Sequence, residues 1–299
     1  MSATPLEPGV WAILATPFRG PEVSVDAESL RTMVRMYREA GVTGLVALGV
    51  LGEASRLSTE ERREVLSTVI DEAAELPVVA GMAALSAAPA IEEARRAAEA
   101  GARAVMVQVP TPDPEKLARH FGQIADASGL GIVIQDHPAA SGVVIQPVAL
   151  ARAAALAGCV VGIKAEAPPI APAIAAVVQE IDLPMFGGLG GVGLLDELLV
   201  GSAGAMTGFA VPEALVATLE AWHQHGYEGA RRTFLPWLPL VLFEAQEKIS
   251  LALRKEILRR RGAIREAAVR PPGVPMPPSL APILDAHLAA VPLPSAVPA

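Results

Sequence analysis

Short runs of Val, Ile, Ala and Leu alternate with longer stretches in which apolar residues recur at helical spacing under a charged face, and the alternation repeats eight times. The apolar runs at residues 10–18, 43–50, 77–82, 104–110, 131–137, 160–164, 183–188 and 204–210 predict strands. The amphipathic segments at 26–40, 58–75, 88–100, 114–128, 147–157, 170–181, 191–199 and 212–225 predict helices. Ser58-Thr59-Glu60-Glu61 combines a capping residue with an acidic first turn, and Gly41 and Gly101 stand where left-handed C-caps form easily. Strands that are apolar along their whole length belong in a parallel sheet covered on both faces. Eight strand-then-helix units predict an α/β fold, a closed (β/α)8 TIM barrel over residues 1–226, in preference to an open doubly wound sheet.

Residues 227–299 read as a C-terminal helical extension with a proline-rich tail. Its first part, from 227 to about 264, predicts one long or two shorter helices packed on the barrel or on a neighbouring subunit. The closing Arg259-Arg260-Arg261 cluster suits a solvated helix end, favourable against the helix dipole. A further helical piece is expected at 279–290, followed by a loose end.

Composition narrows the partners. A net charge of −8 lacks the basic field that a nucleic-acid surface needs. The single cysteine, Cys159, cannot form a disulfide within the chain and fits a reducing compartment. With no cationic, apolar leader and no run long enough to span a bilayer, the expectation is a cytoplasmic protein with no membrane partner.

Candidate chemistry concentrates in Val160-Val161-Gly162-Ile163-Lys164-Ala165-Glu166, a buried-strand pattern that ends in a lysine and a carboxylate. The chain has only four lysines, and Lys116, Lys248 and Lys255 lie in charged, helix-like surroundings, which leaves Lys164 as the one placed for chemistry. Burial disfavours an ammonium and so favours the neutral amine that attacks a carbonyl. The plainer reading is a strand-end lysine that snorkels to solvent or pairs with Glu166.

In a barrel the working face lies at the C-terminal strand ends. That face collects Thr16, the segment Gly49-Val50-Leu51-Gly52, the segment Gln135-Asp136-His137, Lys164 and Glu166, Gly188 with its glycine-rich loop, and Thr207-Gly208-Phe209. A lysine facing a loop whose amides can hold a carboxylate suits imine chemistry on a ketone. Gly188-Leu189-Gly190-Gly191-Val192-Gly193 also fits a dinucleotide fingerprint, but no acidic residue follows at the spacing a ribose contact requires. His223 and His225 lack a carboxylate or cysteine partner, so neither a metal nor any other cofactor is expected.

In Ala15-Thr16-Pro17-Phe18, Gly49-x-x-Gly52-Glu53 and Gly162-Ile163-Lys164, taken in order and spacing, the chain resembles the dihydrodipicolinate synthase and N-acetylneuraminate lyase family over nearly its whole length. The resemblance implies a lyase in which Lys164 forms a Schiff base with pyruvate or another 2-oxo acid and the backbone at Val50 and Leu51 holds that acid's carboxylate. It also implies a homo-oligomer, commonly a tetramer. The chain departs from the family where Val50 and Leu51 replace two relay threonines, where Gln135 replaces the proton-shuttling tyrosine, and where Ala140 replaces the arginine that binds a second carboxylate. These departures argue against the lysine-pathway reaction and leave aldol cleavage, condensation or dehydration. His137 shares a strand face with Gln135 and is the candidate substitute for the lost phenol, helped by Asp136 or Glu166; packing against Pro138 is the alternative. Against the enzyme stands a second reading, a barrel that has lost proton transfer and only binds a keto acid or acts as a scaffold.

Overall fold

The computed structural model describes residues 4–294. Eight parallel strands close into a barrel in chain order: β1 (Gly9–Ile13), β2 (Gly44–Ala47), β3 (Val78–Gly81), β4 (Ala104–Gln108), β5 (Gly131–Asp136), β6 (Val160–Ala165), β7 (Met185–Gly187) and β8 (Gly204–Thr207). β8 pairs back onto β1, so the barrel itself has no open edge. The helices α1 (Ala27–Glu39), α2 (Thr59–Ala73), α3 (Ala87–Ala100), α4 (Pro114–Ser128), α5 (Pro147–Ala157), α6 (Ile170–Val178), α7 (Leu194–Leu199) and α8 (Pro212–Phe234) form the outer ring. The (β/α)8 expectation therefore holds. Ser58 caps α2 with the full reciprocal box to Glu61, as its sequence suggests.

Several strands are shorter than their apolar runs. β1 stops at Ile13, and Phe18–Arg19 pairs instead with Ser24–Val25 in a small hairpin beside the barrel mouth. β2 gives way to two tight turns, Val50–Gly52 and Ala54–Arg56. The apolar runs continue past the strand ends because residues there, Leu14, Ala15, Leu48 and Val109 among them, are themselves buried in the core.

Two cores divide the apolar side chains. The larger lies between strands and helices; the smaller fills the barrel with Trp11, Ile13, Val46, Val79, Met106, Val133, Val161, Phe186 and Met206. Trp11 meets Phe186 edge-on, with ring centroids 6.4 Å apart, and it fits because any Cβ on Gly44 would overlap its ring. The barrel interior is thus filled by side chains below its C-terminal rim.

Beyond the eighth unit, α8 continues past residue 226 with a kink at Gly226 (φ 62°), and three more helices follow: α9 (Leu238–Glu244), α10 (Ser250–Arg260) and α11 (Ala281–Ala289). The extension is tied to the barrel rim. Arg270 reaches Glu61 through two nitrogens, at 2.6 and 2.8 Å, and Lys255 reaches Glu53 at 2.6 Å. Of the loose end expected after residue 290, Val291 is buried against the core, and residues 295–299 lie outside the described residues. Among the described residues, no helix is long and apolar enough to cross a membrane.

Candidate active site

Lys164 faces the barrel interior because β6 carries a bulge. Ile132 pairs with Val160 and Val133 with Gly162, so Val161 is an extra residue. Val161 belongs to the barrel-filling core, a Cβ on Gly162 would meet Phe186 and Leu6 of that same core, and Ile163 turns out to the helices. Strict alternation from Val161 would have sent Ile163 inward and Lys164 out. The inserted residue reverses that phase and brings Lys164 and Glu166 to the mouth.

There the Glu166 carboxylate is the hub. Its Oε2 accepts from Gln135 Nε2 at 2.7 Å, lies 3.0 Å from Lys164 Nζ and stands 3.7 Å from His137 Nδ1. All four side chains are buried or half-buried. Gly188 makes this possible, since a Cβ there would overlap Glu166 Cγ. Burial pushes the Glu166 carboxyl up, but Lys164, His137 and Gln135 together outweigh it and hold the group below the usual carboxylate range. Burial lowers the His137 imidazole, with Glu166 opposing the fall and Lys164 adding to it, and its buried Nδ1 has no hydrogen-bond partner. Asp136 lies on the other face of β5; burial, then Glu166, raises its carboxyl to about 6.

The Gly49–Gly52 segment forms one 3-10 turn, with Gly52 N–H donating to Gly49 O at 2.9 Å. The amides of Val50 and Leu51 open the turn, where the ladder supplies no acceptor. Left-handed backbone at Leu48 (φ 58°) and Glu53 (φ 54°) brackets it, a strained conformation for non-glycine residues that packing must hold. Gly81 lets β3 approach, because a Cβ there would meet Leu48 O at 2.5 Å.

Three of the residues expected to touch substrate do other work. Thr16 spends its hydroxyl on Gly52 O at 2.6 Å, bracing the turn. Thr207 Oγ1 accepts from Gly190 N at 2.7 Å and fixes the glycine-rich loop. Phe209 is wholly buried in the core between strands and helices, since alternation from the inward Met206 turns 208 in and 209 out. Sequence reasoning also passed over Lys255. It is fully buried against Glu53, which follows the Val50–Gly52 turn, and its helical, charged neighbourhood hid this.

Under the glycine-rich loop lies Glu197 of α7, fully buried, its two carboxylate oxygens without partners and room made for it by Gly187 and Gly193. Burial, then Asp196, pushes this carboxyl up to about 7. An acid whose folded pKa is raised gives stability that is complete below its unfolded pKa and lost as pH rises through the folded one. Glu197→Gln is therefore expected to stabilise the protein at pH 8 by about 3 kcal/mol and to leave it unchanged near pH 4. Thermal melts across that range check it; an equal or lower melting temperature at pH 8 refutes the assignment.

Among the described residues, no group of His, Cys, Asp or Glu is arranged to hold a metal. What the rim brings together is a buried lysine, a carboxylate that bridges it to an imidazole, and a turn whose leading amides have no acceptor in the ladder.

A model of the Dihydrodipicolinate synthetase family matches residues 7–290. The 4-hydroxy-tetrahydrodipicolinate synthase of Methanopyrus kandleri is 33% identical over 248 residues, covering 78% of this chain and 79% of that one. The L-2-keto-3-deoxyarabonate dehydratase of Azospirillum brasilense is 28% identical over 302 residues, covering 97% and 95%. The crystal structure of dihydrodipicolinate synthase from Rhodopseudomonas palustris superposes with a TM-score of 0.90 at 29% identity, covering 97% of this chain and all of that one. With its barrel, its strand-end lysine and this match along almost the full length, the chain belongs to the dihydrodipicolinate synthetase family.

Proposed function

We propose that the protein is a Schiff-base lyase that eliminates water from a 2-oxo acid carrying a hydroxyl on C4, a 2-keto-3-deoxy sugar acid. The observation that carries this is the single carboxylate oxygen of Glu166 within 3.0 Å of Lys164 Nζ and 3.7 Å of His137 Nδ1. Glu166 accepts a proton from Lys164, the free amine attacks C2, and Glu166 returns that proton to the carbinolamine hydroxyl, which leaves as water to give the protonated imine. The protonated imine draws electrons from C3, whose proton passes to Glu166, and the enamine expels the C4 hydroxyl with a proton from the Glu166–His137 pair. Hydrolysis of the imine returns the free lysine.

Two further facts support elimination over the synthase reaction. Ala140, where the resemblance calls for an arginine, is an exposed methyl group and offers no charge to a second carboxylate. The relative that aligns with 97% of this chain is named a keto-deoxy sugar acid dehydratase.

Borohydride reduction in the presence of pyruvate, followed by peptide mapping, tests the imine; turnover of five- and six-carbon 2-keto-3-deoxy aldonates tests the reaction. Adduct on Lys164 and a dehydrated product are expected. Release of pyruvate with an aldehyde would replace elimination by aldol cleavage, and lack of any Lys164 adduct would remove the Schiff-base reading altogether.

A further inference from the structure

Arg254, in the middle of α10, is 2% exposed. Its Nε and Nη2 both engage Glu244 Oε1 at 2.6 Å, and Glu244 Oε2 accepts from Ala210 N at 3.0 Å, so the carboxylate has committed both oxygens. The third nitrogen, Nη1, is buried and has no partner.

Its position is informative. Nη1 lies 2.5 Å from where a Cβ on Gly208 would stand, and that same point is 3.0 Å from Leu51 Cδ1. Gly208 continues the inward phase of Met206 at the C-terminal end of β8. Leu51 belongs to the turn whose free amides face a carboxylate in the reading above. The absence of a side chain at 208 admits the guanidinium to the mouth, beside that turn. A tether between α10 and the rim would need only the two nitrogens on Glu244; it leaves a desolvated, charged donor aimed at the place where an anion is expected.

We propose that Arg254 is a binding residue, its Nη1 donating a charge-assisted hydrogen bond to the carboxylate on the imine carbon of the bound 2-oxo acid; this deepens the Schiff-base reading and rests on it. The lost threonine hydroxyls at 50 and 51 are thereby replaced by a cation delivered from the C-terminal extension. An arginine already locked by Glu244 is pre-organised, so little rotamer freedom is lost when the ligand arrives.

The test measures the concentration of ketone needed for half-maximal borohydride trapping on Lys164, with pyruvate and with its neutral methyl ester. The double variant Arg254→Met/Glu244→Gln removes both charges together, so no uncompensated ion is left inside. Pyruvate is expected to trap at least tenfold more weakly than in the wild type, with the ester unchanged. Arg254→Lys keeps the charge on Glu244 but has one nitrogen to share, and the same selective loss is expected; it serves if the double variant does not fold. Tyr37→Phe removes the other unpartnered polar group that senses the Arg254 charge, and is expected to trap both ketones like the wild type. Equal weakening for both ketones, or no change for pyruvate, reduces Arg254 to a structural ion pair and overturns the proposal. Failure of the wild type to trap pyruvate at all brings down the Schiff-base reading and this inference with it.

Discussion

Lys164→Met is expected to abolish imine trapping, to cut turnover by at least about a thousandfold, ~4 kcal/mol, and to invert how the site responds to pH. The first two effects follow from removing the proposed nucleophile. The third follows from what stays behind. In the wild type the Glu166 carboxyl is held below its ordinary range, so its contribution to stability is present above the unfolded pKa and is lost as pH falls through the folded one. Without the lysine, the burial that pushes this carboxyl up has lost its main opponent. The folded pKa then lies above the unfolded one, and stability is complete in acid and lost as pH rises. Leaving a buried acid without its cation costs about 3–5 kcal/mol at neutral pH. The melting-temperature gap between wild type and variant should therefore widen from pH 4 to pH 8. Adding Glu166→Gln to the variant should close most of the gap without restoring activity. Parallel melting curves for wild type and Lys164→Met would show that Lys164 and Glu166 are not coupled as described.

How far the sequence foretold this site varies residue by residue. The barrel was legible because eight apolar runs and eight amphipathic segments alternate without interruption, and each strand is buried on both faces. Gln135 and His137 could be placed on one face by parity alone, since β5 is regular through Gln135. Lys164 and Glu166 could not. Their inward phase depends on the extra residue at Val161, and in Val160-Val161-Gly162-Ile163 every residue is apolar, so no polar position marks where alternation slips. Thr16 and Thr207 stood at the right strand ends, but whether a hydroxyl faces a ligand or a neighbouring backbone group is decided by loop geometry. Phe209 shows the limit of collecting whole tripeptides, since adjacent residues point opposite ways. Arg254 and Lys255 were hidden for a different reason. In α10 they sit in the run Arg254-Lys255-Glu256, whose charge suggests a solvated face, while tertiary packing buries both against acids more than 200 residues away in one case and ten in the other.

Lys255→Met should be the most damaging change outside the mouth, through the turn that it supports. Glu53 follows that turn in left-handed backbone at φ 54°, and its carboxylate gathers Lys255 Nζ at 2.6 Å, Arg56 Nη1 at 2.7 Å and Arg270 N at 3.0 Å. Lys255 also lies over the Phe18 ring, 4.3 Å from its centroid, and donates to Ala268 O at 2.8 Å. Breaking such a buried pair costs about 3–5 kcal/mol, and release of the strained backbone should misplace the Val50 and Leu51 amides, raising KM for the 2-oxo acid about tenfold, ~1.4 kcal/mol. Dependence on pH separates this from simple loss of packing. Burial lowers the Lys255 ammonium to about 8 from 10.5, against the opposing pull of Glu53. Between those values the unfolded chain binds more protons than the folded one, so wild-type stability gains with rising pH across that window and loses the gain as pH falls through 8. The variant has no such lysine. Subtracting its stability from that of the wild type cancels the other titrating groups, and the difference should climb by up to about 3 kcal/mol between pH 8 and 10.5. Denaturant unfolding at a series of alkaline pH values measures it. A flat difference would mean that Lys255 keeps an ordinary affinity for its proton, and the Glu53 pair would then hold the turn without the burial cost assigned to it.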